Sequence, residues 1–293
     1  MLSLGIDIGG TKAHAVVLDD DNAVVAEDAI FTRRGLEGVR QVTLEVAQRV
    51  ADKVGVGLRD FGAVGIGIPG VVDRDKGEIA SAVNLRIERM PLRELLADQF
   101  SAPISVDNDV KATVVAAGML LDSTSVTYIN FGTGIAAATL DGTLVRGKDN
   151  AAGEIGHLVL NPNGDPCRCG QRGCLETVVG GAYLAPRMDM LGLDWTKLDA
   201  ADTPTGWAAY DQAVRCISQI VGIVAVAYAP ERIVLGGGVI GAAPWVIPAV
   251  KSFLIDRGHM VTFPPYAEIA ERVTTLDHDN QAPAIGAALI GRV

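Results

Sequence analysis

The chain has 293 residues, more than one hydrophobic core usually serves, so two domains or one large α/β unit is expected. Hydrophobic residues make up 49% and charged residues 20%, with no run apolar enough to span a bilayer and no basic-then-apolar leader, so the expectation is a cytoplasmic protein without a membrane partner. Acidic residues number 35 against 25 basic ones, the net charge is -10, and no basic stripe stands out, so nucleic acid is not an expected partner.

The opening "LSLGIDIGG" runs into glycine, and "AHAVVLDDDNAVVAEDAIF" reads as two more strands joined by an Asp/Asn turn, together an antiparallel meander. Apolar residues at Leu36, Val39, Val42, Val46 and Val50 follow helical spacing to about Val54, where Gly55 and Gly57 stop the helix. "GAVGIGIPG" is a short buried strand with a Pro-Gly turn, and "APISVDND" is another that runs into the helix "VKATVVAAGML". A second pass starts at "SVTYINFGTGIAAATLDGTLV", again a strand, a glycine turn and a returning strand. Placing Ile6 on Ile129 aligns the two hairpins and suggests two related domains. "DMLGLDWTKLDAADTPTG" is polar and broken, a surface excursion. A long apolar helix ("YDQAVRCISQIVGIVAVAYA"), the strand "RIVLGGGVI", a helix through "WVIPAVKSFLIDRG" and the terminal helix "APAIGAALIGRV" complete an alternating α/β pattern. The terminal helix carries small residues on one face and is expected to pack on a sheet.

"DIGGTK", Asp7 to Lys12, lies between two strands, so it is neither a Walker loop nor a dinucleotide fingerprint. In a tight hairpin Gly9 and Gly10 let backbone amides approach phosphate oxygens, Thr11 adds a hydroxyl, Lys12 a positive charge, and Asp7 is suited to a divalent cation through water. A bare Gly-Gly pair on its own reads as an ordinary hairpin turn. Two more glycine turns, "FGTG" (131–134) and "LGGG" (235–238), each directly after an apolar strand, are what a cleft gripping a nucleotide needs. Asp109 stands where the strand "PISVDN" gives way to a helix. There it is either a helix cap or a carboxylate that takes a proton from an attacking hydroxyl, and Asn108 could hydrogen-bond the same substrate. Three of the four cysteines crowd into "CRCGQRGC" behind His157, whereas Cys216 lies alone in an apolar helix as a core residue.

The order "DIGGTK", "GIGIPG", "NDVKA", "GTG", "GEIGH", "CRCGQRGCLE", "GGG" resembles that of the ROK family (repressor, open reading frame, kinase). The resemblance implies two ribonuclease-H-like α/β domains of the actin/hexokinase-like ATPase type around a central cleft. A smaller domain would span residues 1–110 with about 280–293, and a larger one 111–279 would carry the cysteine motif. It implies transfer of the γ-phosphate of Mg-ATP to a hexose or N-acetylhexosamine hydroxyl, and a homodimer. Asp109 resembles the family's catalytic base, and Gly70, Asn84, Asn108, Glu154, His157 and Glu176 resemble its sugar ligands. Asp7, Gly9, Gly10, Thr11, Lys12, Thr133 and Gly134 resemble the phosphate turns, Gly236, Gly237 and Gly238 the adenosine side, and His157, Cys167, Cys169 and Cys174 the structural zinc ligands.

One nitrogen and three thiolates at H-x9-C-x-C-x4-C make a closed tetrahedral set with no vacant position, hence a structural zinc site. A redox pair is the other reading, but C-x-C lacks the C-x-x-C spacing. Zinc on one ring nitrogen of His157 would hold the other toward a substrate hydroxyl, and Glu154 would project to the same face if this stretch is helical. The chain departs from the family at Ala136, Ala137 and Ala138, which add methyl groups near the expected nucleotide path. It departs again at Asp107, Val110 and Lys111, the lysine being expected to face solvent. The alternatives to a kinase are a sugar-sensing regulator, disfavoured because the first strand starts at Leu2 without room for a helix-turn-helix ahead of it, and a degenerate sugar-binding protein.

Overall fold

The computed structural model describes residues 1–277 and 280–293. The opening meander is β1 (Ser3–Ile8), β2 (Lys12–Leu18) and β3 (Val24–Phe31), antiparallel throughout as the alternation dictates. α1 (Leu36–Val54) buries Val39, Val42, Val46 and Val50 on one stripe and ends on Gly55, whose φ of 70° is the left-handed conformation that closes helices. β4 (Ala63–Ile68) is buried along its whole length, and a small hairpin, β5 (Val71–Asp73) and β6 (Glu78–Ser81), follows it. After α2 (Leu92–Leu96), β7 (Ile104–Asn108) passes directly into α3 (Asp109–Leu120), so the sheet order is β3-β2-β1-β4-β7 with β1, β4 and β7 parallel.

A second hairpin, β8 (Ser125–Phe131) and β9 (Ile135–Asp141), adds the short β10 (Thr143–Leu144). Helices α4 (Glu176–Val179), α5 (Gly181–Leu191) and α6 (Pro204–Tyr228) precede β11 (Arg232–Gly236). α7 (Gly238–Gly241), α8 (Val246–Gly258), α9 (Tyr266–Arg272) and β12 (Val273–Thr274) complete a sheet of order β10-β9-β8-β11-β12. β8, β11 and β12 run parallel, so both sheets share one plan, a hairpin whose first strand is extended on its other side by two parallel strands. Ile6 and Ile129 both lie in those first strands, which supports the duplication.

The terminal α10 (Ala282–Gly291) packs on β1, β4 and α3. The fit depends on missing side chains: a methyl at Gly65 would overlap the Ala287 carbonyl oxygen, and one at Gly286 would overlap the Ala112 carbonyl oxygen. This explains the small-residue face expected of the last helix.

The chain divides into two compact units, Met1–Asp122 with Leu144–Ala152 and His278–Val293, and Ser123–Thr143 with Gly153–Asp277. The division falls after α3 rather than at 110/111, because the α10 contact holds α3 to the first sheet. Residues 144–152 also return to the first unit as a strap. The other expected boundary, near 279, touches residues 278 and 279, which lie outside the described residues.

Two local expectations need correction. The segment after Asp189 is not a mere surface excursion: Trp195 and Leu198 are buried in the second unit's core, and the Trp195 ring lies edge-on to Trp245 at 4.8 Å. Aspartates and threonines interrupt the apolar residues of the segment, but a single buried indole is enough to anchor it in the core. Lys111 does not face solvent; it is 5% exposed on the inner side of α3.

Candidate functional site

In the first unit the candidate residues collect where β1, β4 and β7 end. Parallel strands place their carboxyl ends side by side, the usual location of a ligand crevice in α/β sheets. Asp7 is in register with Gly67, and Gly67 with Asp107, so two carboxylates share one row across a strand that offers no side chain between them. Asp7 Oδ1 is buried and has no hydrogen-bond partner among the described residues. Burial, and then the charge of Asp109, push the Asp7 carboxyl well above its ordinary value.

Asp109 opens α3 and is half-buried, its Oδ1 accepting from the Val110 amide at 2.9 Å. The helix cap is Asn108 instead: its Oδ1 accepts from the amides of Val110 and Lys111 at 3.0 and 3.2 Å. Asn108 also donates through Nδ2 to the Gly70 carbonyl at 3.3 Å. Gly70 has φ of 105°, and a side chain there would collide with the Ser81 carbonyl, so the turn after Pro69 admits only glycine.

The first glycine turn is closed by Gly9 N donating to Lys12 O at 2.9 Å, and Thr32 Oγ1 donates to Gly9 O at 2.7 Å. Thr11 and Lys12 are exposed. Gly10 has ordinary φ, and a methyl there would make only van der Waals contact, 3.7 Å from Cβ of the exposed Asn84. Its lack of a side chain therefore has no explanation within the fold.

In the second unit the two remaining glycine turns follow the adjacent parallel strands β8 and β11, with Gly236 opposite Asn130. Gly181 N and Ala182 N, at the start of α5, donate to the Gly132 and Thr133 carbonyls at 2.9 Å each. Glu176 Oε2 accepts from the Ile135 amide at 3.0 Å and crowds Gly134 so closely that a side chain there would have to displace the carboxylate. Gly237 (φ 88°) abuts Asn130 and Phe131, while Gly238 borders open space. A cavity of about 410 Å³ extends from Gly238 and Val239 to Gly181, Met188, Asp189 and Trp195. Asp189 and Trp195 were not legible as site residues, since nothing in their local sequence marks them.

The alanines of β9 do not lie free along a nucleotide path. Ala137 and Ala138 are 4% and 3% exposed and pair with Ile129 and Tyr128 in the sheet, and only Ala136 is half-buried.

Glu154 and His157 bracket a single 3-10 turn (Ile155–His157), so the helix that would align them is one turn long. Ligand atoms of His157, Cys167, Cys169 and Cys174 all lie within 4.8 Å of one another. Cys167 Sγ is 3.7 Å from His157 Nδ1, and Cys169 Sγ is 3.6 Å from Cys174 Sγ. With zinc–sulfur bonds of about 2.3 Å, a tetrahedral site separates its sulfurs by about 3.8 Å, so the donor set fits zinc. Hydrogen bonds from Gln171 pull the exposed Cys169 thiol down to about 6, and burial raises Cys174 to about 12. Cys216 stands apart in the core, its thiol pushed up to about 12 by burial.

The ROK family pattern matches residues 3–292. A glucokinase of Halalkalibacterium halodurans is 29% identical over 94% of this chain and 91% of its own. A xylose repressor of Caldicellulosiruptor bescii is 28% identical over 59% of this chain and 45% of its own. Among solved structures, the ROK hexokinase of Thermus thermophilus superposes with a TM-score of 0.82 at 29% identity, covering 100% of this chain and 98% of that one. A ROK family glucokinase of Streptomyces griseus, in complex with glucose and AMPPNP, gives 0.80 at 25% identity, with 100% and 99% covered.

Proposed function

The chain belongs to the ROK family, and from that premise we propose that Asp109 is the base by which this ATP-dependent sugar kinase phosphorylates a hexose or N-acetylhexosamine hydroxyl. The observation that carries this reading is the strand-end trio of Asp7, Asn108 and Asp109, with a buried Asp7 oxygen that has no hydrogen-bond partner among the described residues, at the carboxyl ends of adjacent parallel strands. Asp109 accepts the hydroxyl proton as the sugar oxygen bonds to the γ-phosphorus, the bond to the bridging oxygen breaks, and ADP leaves with the electron pair. Gly70, Asn84, Asn108, Glu154, His157 and Glu176 orient the sugar. Thr11 and Lys12 with Gly9 and Gly10, and Thr133 with Gly134, receive phosphates, and the cavity beside Gly236, Gly237 and Gly238 takes the adenosine. Little covalent chemistry is asked of the protein, so its work is positioning and charge stabilisation.

Mg²⁺, when bound, neutralises phosphate charge, and Asp7 with its orphaned buried oxygen is the residue that would hold it through water. Zinc on His157 Nδ1 and the three thiolates is structural; it ties the His157 turn to the loop that ends two residues before Glu176. We carry a homodimer and a cytoplasmic location as parts of the same reading, the first to be checked by sedimentation.

The test is ADP release over a panel of neutral hexoses and N-acetylhexosamines, repeated with Asp109→Asn. Loss of about 10²–10⁴-fold in kcat with sugar binding retained supports the base. Retention of most activity removes it, and sugar binding without turnover by the wild type favours a sensor.

A further inference from the structure

The strap 144–152 is tied to the β7–α3 corner by groups that the catalytic reading does not use. Asp107, 1% exposed, accepts from Arg146 Nη1 and from Asn150 Nδ2, the latter at 3.1 Å. Its Oδ1 also accepts from the Asn108 amide at 2.8 Å. The buried Lys111 ammonium donates to the carbonyls of Asn150 at 2.9 Å and Ala152 at 3.1 Å. Asp149 and Asn150 have φ of 53° and 59°, two successive side-chain-bearing residues in the left-handed region. Such strain persists only where surrounding contacts over-determine it, and it clusters at functional sites. Burying an ammonium is costly unless its donors are met, so a surface-type residue placed here is doing a positional task. A lysine needed only for solubility would extend into water.

We propose that Lys111 is a positioning residue for the sugar site: its buried ammonium clamps the strap onto the first turn of α3, fixing Asn108 and Asp109 and the point from which the chain runs on to Glu154. Ala152, whose carbonyl it holds, precedes Glu154 by two residues. Asp107 and Arg146 brace the same corner from the β7 side, so the clamp acts on both arms of the strand-to-helix bend. This rests on the kinase reading, because the groups being positioned are its sugar ligands and base.

Lys111→Met and Lys111→Arg, in the full chain, test it through sugar KM, ATP KM, calorimetric sugar affinity and hydrogen exchange of residues 144–152. Lys111→Met is expected to raise sugar KM and the sugar dissociation constant about 10- to 100-fold and to speed strap exchange, with ATP KM within about twofold. Lys111→Arg keeps charge and donors and is expected to recover sugar KM to within about threefold of wild type. A role in folding alone would lower kcat with the active fraction and leave sugar KM unchanged; that result, or unchanged strap exchange, overturns the proposal. If Lys111→Met does not fold, Asn150→Ala cuts the tie to Asp107 and is expected to raise sugar KM about threefold, an unchanged KM again being contrary. A wild type that neither turns over nor binds any hexose would sink the kinase reading itself, and strap exchange would still show whether the clamp exists.

Discussion

Gly134→Ala probes the contact between the second glycine turn and Glu176. Its Cβ would lie 3.2 Å from Glu176 Cδ and closer still to Oε2, the oxygen that accepts from the Ile135 amide at 3.0 Å. The backbone cannot yield easily, since the flanking Gly132 and Thr133 carbonyls are held by the amides of α5. The carboxylate must therefore swing away and give up its amide bond. A hydrogen bond to a charged group contributes about 1.5–3 kcal/mol, which corresponds to about 10- to 150-fold if it is lost where the substrates bind. Coupled ADP-release kinetics should show sugar KM rising through the displaced Glu176 and ATP KM rising through the distorted Thr133–Gly134 turn. A variant that folds, and whose kcat/KM for both substrates stays within about threefold of wild type, would refute the assignment of this turn and of Glu176 together.

Gly10→Ala gives a complementary outcome: the fold has room for the methyl, so melting temperature should not change, while ATP KM rises about tenfold or more if a phosphate lies against that turn. Asp7→Asn should stabilise the protein while abolishing turnover. The native Asp7 carboxyl holds its proton to higher pH than the unfolded one, ordinarily at 3.8, so wild-type stability falls as pH rises from there through the raised native value. The melting-temperature gain of the variant should thus be near zero in acid below the ordinary value and grow toward neutrality; a gain independent of pH would contradict the burial of an unmet charge. Cys167→Ser should lower bound zinc from about one per chain to near zero, measured by atomic absorption, and sugar KM should rise as His157 loses its anchor. Full zinc content in that variant would exclude Cys167 as a ligand.

Much of this protein was readable from residue order. Helical spacing marked α1, short apolar runs ending in glycine, proline or aspartate turns marked the two hairpins, β4 and β7, and small residues marked the terminal helix, because spacing and turn chemistry are local properties. The cysteine spacing pointed to a metal cluster, since a short loop brings its own ligands together whatever the rest of the chain does.

Only tertiary structure decided which side Lys111 takes, because helical position alone does not reveal a strap returning from residues 144–152 to accept its donors. The same holds for Trp195, whose burial depends on Trp245, fifty residues away, and for Ala137 and Ala138, whose methyls are packed by strand pairing. The division after α3 likewise followed from a glycine in the last helix meeting a carbonyl in α3, a contact between segments more than 170 residues apart. Local sequence sets which conformations are cheap. The choice among them falls to partners that are distant in sequence, as the carbonyls of Asn150 and Ala152 are for Lys111.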